Sequence, residues 1–146
     1  MTDSGLLPPG MHGCTLDEAQ LFLGWNSHRR ALWQGLIGAL QELKALGFSF
    51  PIVIDGSYVT DKEIPGDVEL TLDLKKASDP QKENDIMIFY IRQHVRIKRD
   101  YRVDFYPSLP GNSDFTLFFQ YVGDTTAAAK QMRSTDKKGV LRIEQW

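Results

Sequence analysis

The sequence predicts an α+β fold, a mixed β-sheet flanked by helices, in a single domain spanning residues 1–146. Three observations carry this. The apolar run Ile52-Val53-Ile54 reads as a buried strand. In Asp67-Val68-Glu69-Leu70 apolar and acidic residues alternate, so a strand there turns Val68 and Leu70 to the core and both acids to the opposite face. Leu32, Leu36, Leu40 and Leu43 form one stripe at helical spacing, with Trp33 and Ile37 beside it.

The elements follow in order. Residues 1–13, with Pro8-Pro9-Gly10 and Gly13, read as an extended arm over the surface. Thr15-Leu16-Asp17-Glu18 is a capping-box pattern opening a short helix that ends near Gly24. Asn26 caps a longer helix running to about Leu46, and Gly47 ends it. Gly35 and Gly38 inside that helix mark close packing against another element. Strands are expected at 51–55 and 67–74. Ser78-Asp79-Pro80 opens a helix over 80–93 whose stripe includes Ile86, Phe89 and Tyr90. An edge strand at 95–98 then forms a hairpin with a strand at 101–106. Pro107 and Pro110-Gly111-Asn112 make a loop, Phe115 to Tyr121 a short helix, 123–138 a mobile loop, and Gly139 to Glu144 a last strand.

Composition sets the bounds. A chain of 146 residues buries a sizeable core without staples, and 42% hydrophobic with 25% charged residues is ordinary for a globular protein. A net charge of −2 gives no global basic field for nucleic acid. The single cysteine, Cys14, excludes an internal disulfide and any disulfide-linked pairing is not expected. No apolar run approaches the ~20 residues of a membrane span, and Pro8-Pro9 interrupts any signal-peptide pattern, so a cytoplasmic location is expected.

The chemistry concentrates between residues 54 and 104. After the first strand the chain breaks at Gly56-Ser57, where glycine permits a sharp turn and close approach to a ligand. Asp67 and Glu69 then share a strand face, where they repel each other and lose solvation unless a cation sits between them. A divalent metal answers that need, since Mg²⁺ takes carboxylate oxygens together with substrate phosphates. Asp104, in Tyr101-Arg102-Val103-Asp104-Phe105-Tyr106, would reach the same face from a neighbouring strand and give three carboxylates around one or two ions. Lys62 follows the turn closely enough to touch a triphosphate, or it is a turn residue pairing with Asp61 or Glu63.

These positions, Ile54/Asp55 into Gly56-Ser57, then Asp67-Val68-Glu69-Leu70 and later Asp104, resemble the signature of the nucleotidyltransferase superfamily, with its DNA polymerase beta-like fold. The motif core covers about residues 52 to 105. The ends, Leu7-Pro8-Pro9-Gly10 and Lys138-Gly139-Val140-Leu141-Arg142, look like those of a small branch of short bacterial and phage proteins with the same core. Glu69 stands where the family more often has Asp, and there is no separate substrate-recognition domain. The resemblance implies that Gly56, Ser57 and Lys62 hold the phosphates of an NTP. Asp67, Glu69 and Asp104 would bind Mg²⁺ (or Mn²⁺) and catalyse transfer of a nucleoside monophosphate to a protein or RNA acceptor. It also implies a place in a toxin–antitoxin or phage-defence pair. The competing expectation is a catalytically inactive nucleotide-binding or partner-binding module. A phosphodiester hydrolase using the same metals ranks below both.

Other signals are weak. Gly-Ser turns are common, and an Asp-x-Glu pair is most often a solvated strand face. There is no phosphate-binding Gly-x-x-x-x-Gly-Lys loop, Gly-x-Gly-x-x-Gly or His-Glu-x-x-His. His12, His28 and His94 are scattered, and Cys14 has no nearby His. Arg92, Arg96, Lys98, Arg99 and Arg102 crowd together; they read either as a solvated hairpin edge or as a patch for RNA beside Asp104.

Overall fold

A computed structural model describes residues 1–109 and 114–146. Its elements are β1 (Gly10–Gly13), α1 (Leu16–Leu23), α2 (Ser27–Ala45), β2 (Ile52–Asp55), a single 3₁₀ turn (Gly56–Val59), β3 (Val68–Asp73), α3 (Pro80–Tyr101), β4 (Val103–Ser108), α4 (Phe115–Phe118), α5 (Asp124–Lys130) and β5 (Gly139–Ile143). The strands form one mixed sheet in the order β1-β5-β2-β3-β4. β5 runs parallel to β1 and antiparallel to β2, β2 is antiparallel to β3, and β3 is parallel to β4 through the α3 crossover. This is the α+β architecture expected, a mixed sheet flanked by helices.

Alternation along the strands gives the sheet two unlike faces. Ile52, Ile54, Leu70, Leu72, Val103 and Phe105 point one way and pack with Leu32, Leu36, Leu40 and Leu43 of α2 and Ile86 and Ile97 of α3 in the main core. The opposite face carries Asp55, Glu69, Asp104 and Tyr106, and its apolar part, Val53 and Val140, is covered by Phe119.

The arm differs from the expectation. Its last four residues are β1, paired with β5 from Gly10↔Gly139 to Gly13↔Arg142, so it completes the sheet. The Thr15 capping box and the Asn26 cap form as read.

The expected hairpin is absent: α3 runs unbroken from Pro80 to Tyr101 and ends where Arg102 adopts a left-handed conformation, φ 57°. Val95 and Ile97 mimic strand alternation, but Ile97 lies three turns beyond Ile86 on the buried stripe while Val95 is exposed. No Gly or Pro interrupts residues 81–106, and the straight-chain Arg, Lys and Gln here favour helix. Pro107 lies inside β4, tolerated because β4 is a sheet edge. The turn expected at Pro110-Gly111-Asn112 lies outside the described residues. Within 123–138, expected as a loop, α5 forms and buries Ala127 against Leu6 and Val122. Among the described residues no helix is long and apolar enough to cross a membrane.

The close packing expected at Gly35 is real. A Cβ there would stand 2.2 Å from the Tyr101 carbonyl oxygen, at the end of α3 from which β4 departs. Gly35→Ala should destabilise the fold by about 1–3 kcal/mol through overpacking, despite alanine's better helix propensity. Urea unfolding measures it; an unchanged midpoint would show that α2 and α3 separate freely.

Candidate functional site

Three carboxylates lie in one row across the polar face. Asp55 on β2 is the register partner of Glu69 on β3, and Glu69 is the partner of Asp104 on β4. Asp67 stands just before β3. The strand pairings themselves produce this convergence, since each acid occupies the same face of its own strand.

The 56–65 loop that leads to Asp67 is fastened to the start of α2. Arg29, fully buried, donates from Nε to the Leu23 carbonyl at 2.6 Å, from Nη1 to that of Lys62 at 2.6 Å, and from Nη2 to that of Tyr58. Tyr58 returns a bond from its hydroxyl to the Arg29 carbonyl at 2.9 Å. Asn26 donates to the Glu63 carbonyl at 2.9 Å, and His28 Nε2 to that of Pro65 at 2.7 Å.

Gly56 has φ +77°, a left-handed value, and a Cβ there would meet Glu69 Oε2 at 2.8 Å. Only glycine allows the turn to leave β2 directly over the Glu69 carboxylate. Gly56, Ser57, Lys62 and Glu69 line one cleft of about 1100 Å³, together with Asp55 and Lys138 and an aromatic wall containing Tyr106, Phe118 and Tyr121. Asp67 and Asp104 adjoin it.

Two lysines divide the acids. Lys98, on α3, places Nζ 3.2 Å from Asp67 and 2.6 Å from Asp104, and this double contact raises its own pKa. Lys138, nearly buried, is paired with Asp55. Burial pushes the Asp55 carboxyl up, and Lys138 opposes that shift. Glu69 has no ion-pair partner among the described residues. Burial first, then the charges of Asp55, Asp67 and Asp104, raise it to about 7. Tyr106 is pushed up to about 12 by burial and by Asp104.

Carboxylate oxygens are the donor set that Mg²⁺ prefers, and Asp67 and Asp104 already aim at one cationic atom. The residues therefore fit a cation, with Lys98 supplying an ammonium between them. As arranged, no group of three or more His, Cys, Asp or Glu stands close enough to hold a metal among the described residues.

Sequence reasoning named Asp67, Glu69, Asp104, Gly56, Ser57 and Lys62, and the fold gathers them around one end of the sheet. It missed Lys98 and Lys138 as partners and passed over the aromatic wall. Placing the basic cluster in a hairpin concealed the role of Lys98; read as helix, the same residues set it above Asp104. Elsewhere in the cluster, Arg96 pairs with Glu42 and Arg99 with Asp100 at 2.8 Å, so much of its charge is taken up internally.

The family model described as "Family of unknown function (DUF6932)" matches residues 1–144. Comparison with curated proteins and with solved structures gives no match.

Because Glu69 titrates near 7 in the fold against 4.5 ordinarily, its contribution is fully present below 4.5 and is lost as pH rises through 7. Glu69→Gln should therefore raise the melting temperature of metal-free protein at pH 8 by roughly 3–8 °C and leave it unchanged near pH 4.5. Thermal scans across pH check this; an equal effect at both pH values would show that the carboxylate is not strained by its neighbours.

Proposed function

The chain belongs to the family of unknown function DUF6932, and we propose that it is a Mg²⁺-dependent nucleotidyltransferase that moves a nucleoside monophosphate from an NTP to a hydroxyl of a protein or RNA acceptor. The observation that carries the proposal is the Glu69–Asp104 register pair beside Asp67, with the Gly56-Ser57 turn leaving β2 over the Glu69 carboxylate. Phosphates need backbone approach and clustered carboxylates need a cation, and here the Gly56-Ser57 turn and Glu69 line one cleft.

In this reading Gly56 and Ser57 receive the phosphates at the turn, and Lys62 offers a positive charge from the cleft wall. Asp67, Glu69 and Asp104 would hold Mg²⁺ or Mn²⁺, which when bound supplies charge neutralisation and polarises the reacting oxygens. Burial and the acidic neighbours raise the Glu69 pKa to about 7, and a neighbouring cation would draw it back down. Arg29 keeps the turn from moving under the phosphates. Catalysis of this type is chiefly positioning and charge stabilisation, so few groups suffice. The acceptor would be a partner protein or a tRNA end within a toxin–antitoxin or phage-defence pair.

One observation favours a second reading, a catalytically inactive nucleotide-binding or partner-binding module. Lys98, shared by Asp67 and Asp104, and Lys138, paired with Asp55, give three of the four acids an ammonium partner without a metal.

Gly56→Val should abolish NTP binding in calorimetry while the far-ultraviolet spectrum is retained, since a branched side chain fills the space beside Glu69 and opposes the left-handed turn. Normal affinity would remove the turn from the phosphate site.

Asp67→Asn and Asp104→Asn separate the two readings. Each should eliminate transfer of label from the α-phosphate of an NTP to an acceptor, with a melting temperature close to wild type because Lys98 is half-exposed and keeps its other partner. If wild type transfers nothing to any acceptor, yet binds its partner as well as both Asn variants do, the module reading replaces the enzyme.

A further inference from the structure

We propose that the aromatic wall of the cleft is a nucleobase subsite in which Phe118 and Tyr121 are the stacking platform. This rests on the nucleotidyltransferase reading of the same cleft and adds where the non-reacting part of the nucleotide lies.

The aromatic residues there fall into two groups. Tyr106, Phe115 and Phe119 pack on one another, with centroids 5.4–6.2 Å apart, and close the small core over Val53 and Val140. Phe118 and Tyr121 do not complete that core. Phe118 meets Phe119 at 5.7 Å with rings inclined at 61°, yet stays 66% exposed, and Tyr121 is 46% exposed. Both line the cleft that has Gly56, Ser57 and Glu69 in its wall. Large rings left wet inside a cleft, on a packed aromatic base, are what a planar apolar ligand needs.

The platform is held firmly for so short a segment. The Asp114 carboxylate caps α4 at the Thr116 amide and receives Lys75 Nζ at 3.0 Å. Beyond it, Tyr121 forms a bridge with Lys137, whose ammonium stands 5.7 Å from the Tyr121 ring centroid. The next residue, Lys138, donates its amide to the Gln120 carbonyl at 2.8 Å and pairs its side chain with Asp55. The segment carrying the rings is thereby tied to the acidic row. A nucleoside triphosphate with its phosphates at Gly56-Ser57 has its base as the only flat, apolar part left to meet these rings. Every base has a π-face, so the platform selects for a base without strongly selecting which one.

The test compares Mg²⁺-loaded NTP with Mg²⁺-loaded tripolyphosphate, which has the phosphates and no base, by calorimetry. Wild type should bind NTP more tightly. The Phe118→Ala/Tyr121→Ala double variant should lose about tenfold or more in NTP affinity while tripolyphosphate affinity stays unchanged. Leu117→Ala, at a residue 59% exposed on the same helix but outside the cleft lining, should change neither. Phe118→Trp keeps a stacking ring, and its added fluorescence relative to wild type should be quenched by NTP and not by tripolyphosphate, which guards against misfolding of the alanine variant. Equal wild-type affinity for the two ligands, undiminished NTP binding by the folded double variant, or no quenching in Phe118→Trp overturns the subsite and leaves the phosphate site standing. Binding of neither ligand by wild type overturns both.

Discussion

The structure depends on a buried guanidinium. Arg29 lies in the core among Leu23, Tyr58 and Lys62, and its hydrogen-bond partners are backbone carbonyls. Desolvation brings its pKa down to about 10, so it stays charged at neutral pH. A buried charge is tolerable only when its donors are satisfied, and here the stacking of Trp25 at 3.6 Å and Tyr58 at 4.6 Å adds to three carbonyl bonds. The carbonyls come from the end of α1 and from both sides of the loop after the Gly-Ser turn. One side chain therefore fixes the relation of α1, α2 and that turn, and through the turn the approach to Asp67.

The second constraint is charge density. Four carboxylates gathered at one end of the sheet would oppose folding if all were ionised and unpaired. The fold answers with an ammonium from α3 and another from the segment before β5, and leaves Glu69 without an ion-pair partner among the described residues, its pKa raised by burial and by its acidic neighbours. Glu69 is central in the register row, flanked by Asp55 on one side and Asp104 on the other. The unevenness distinguishes this face from a solvated acidic strand, where neighbours share their charge with water.

Much of this was legible in residues with strict local requirements. Alternation in Asp67-Val68-Glu69-Leu70 fixed which side chains share a face, and the caps at Thr15 and Asn26 formed as their side chains demand. The helix period of Leu32 to Leu43 was equally plain. What could not be read were features set by distant pairing. Val95 to Lys98 fits either period, and burial of Ile97 under the sheet decides it. The arm's pairing depends on Val140, far along the chain, and the partners of Asp55 and Asp104 lie on other elements. The aromatic run after Phe115 gave a helix but not the cleft it overlooks.

The place of β5 in the sheet has a consequence for how the molecule is made. It is the last strand in sequence, yet it is interior, inserted between β1 and β2. A ribosome-bound chain holding only β1 to β4 has β2, β3 and β4 ready to zip through neighbouring segments, while β1 waits with nothing to pair against. Closure of such long-range pairings is entropically slow, and exposed strand edges are sticky meanwhile. Lys138 arrives with β5, so the nascent acidic row spends that interval without one of its two counter-ions. The pairing that completes the sheet is thus also the one that delivers the counter-ion of Asp55.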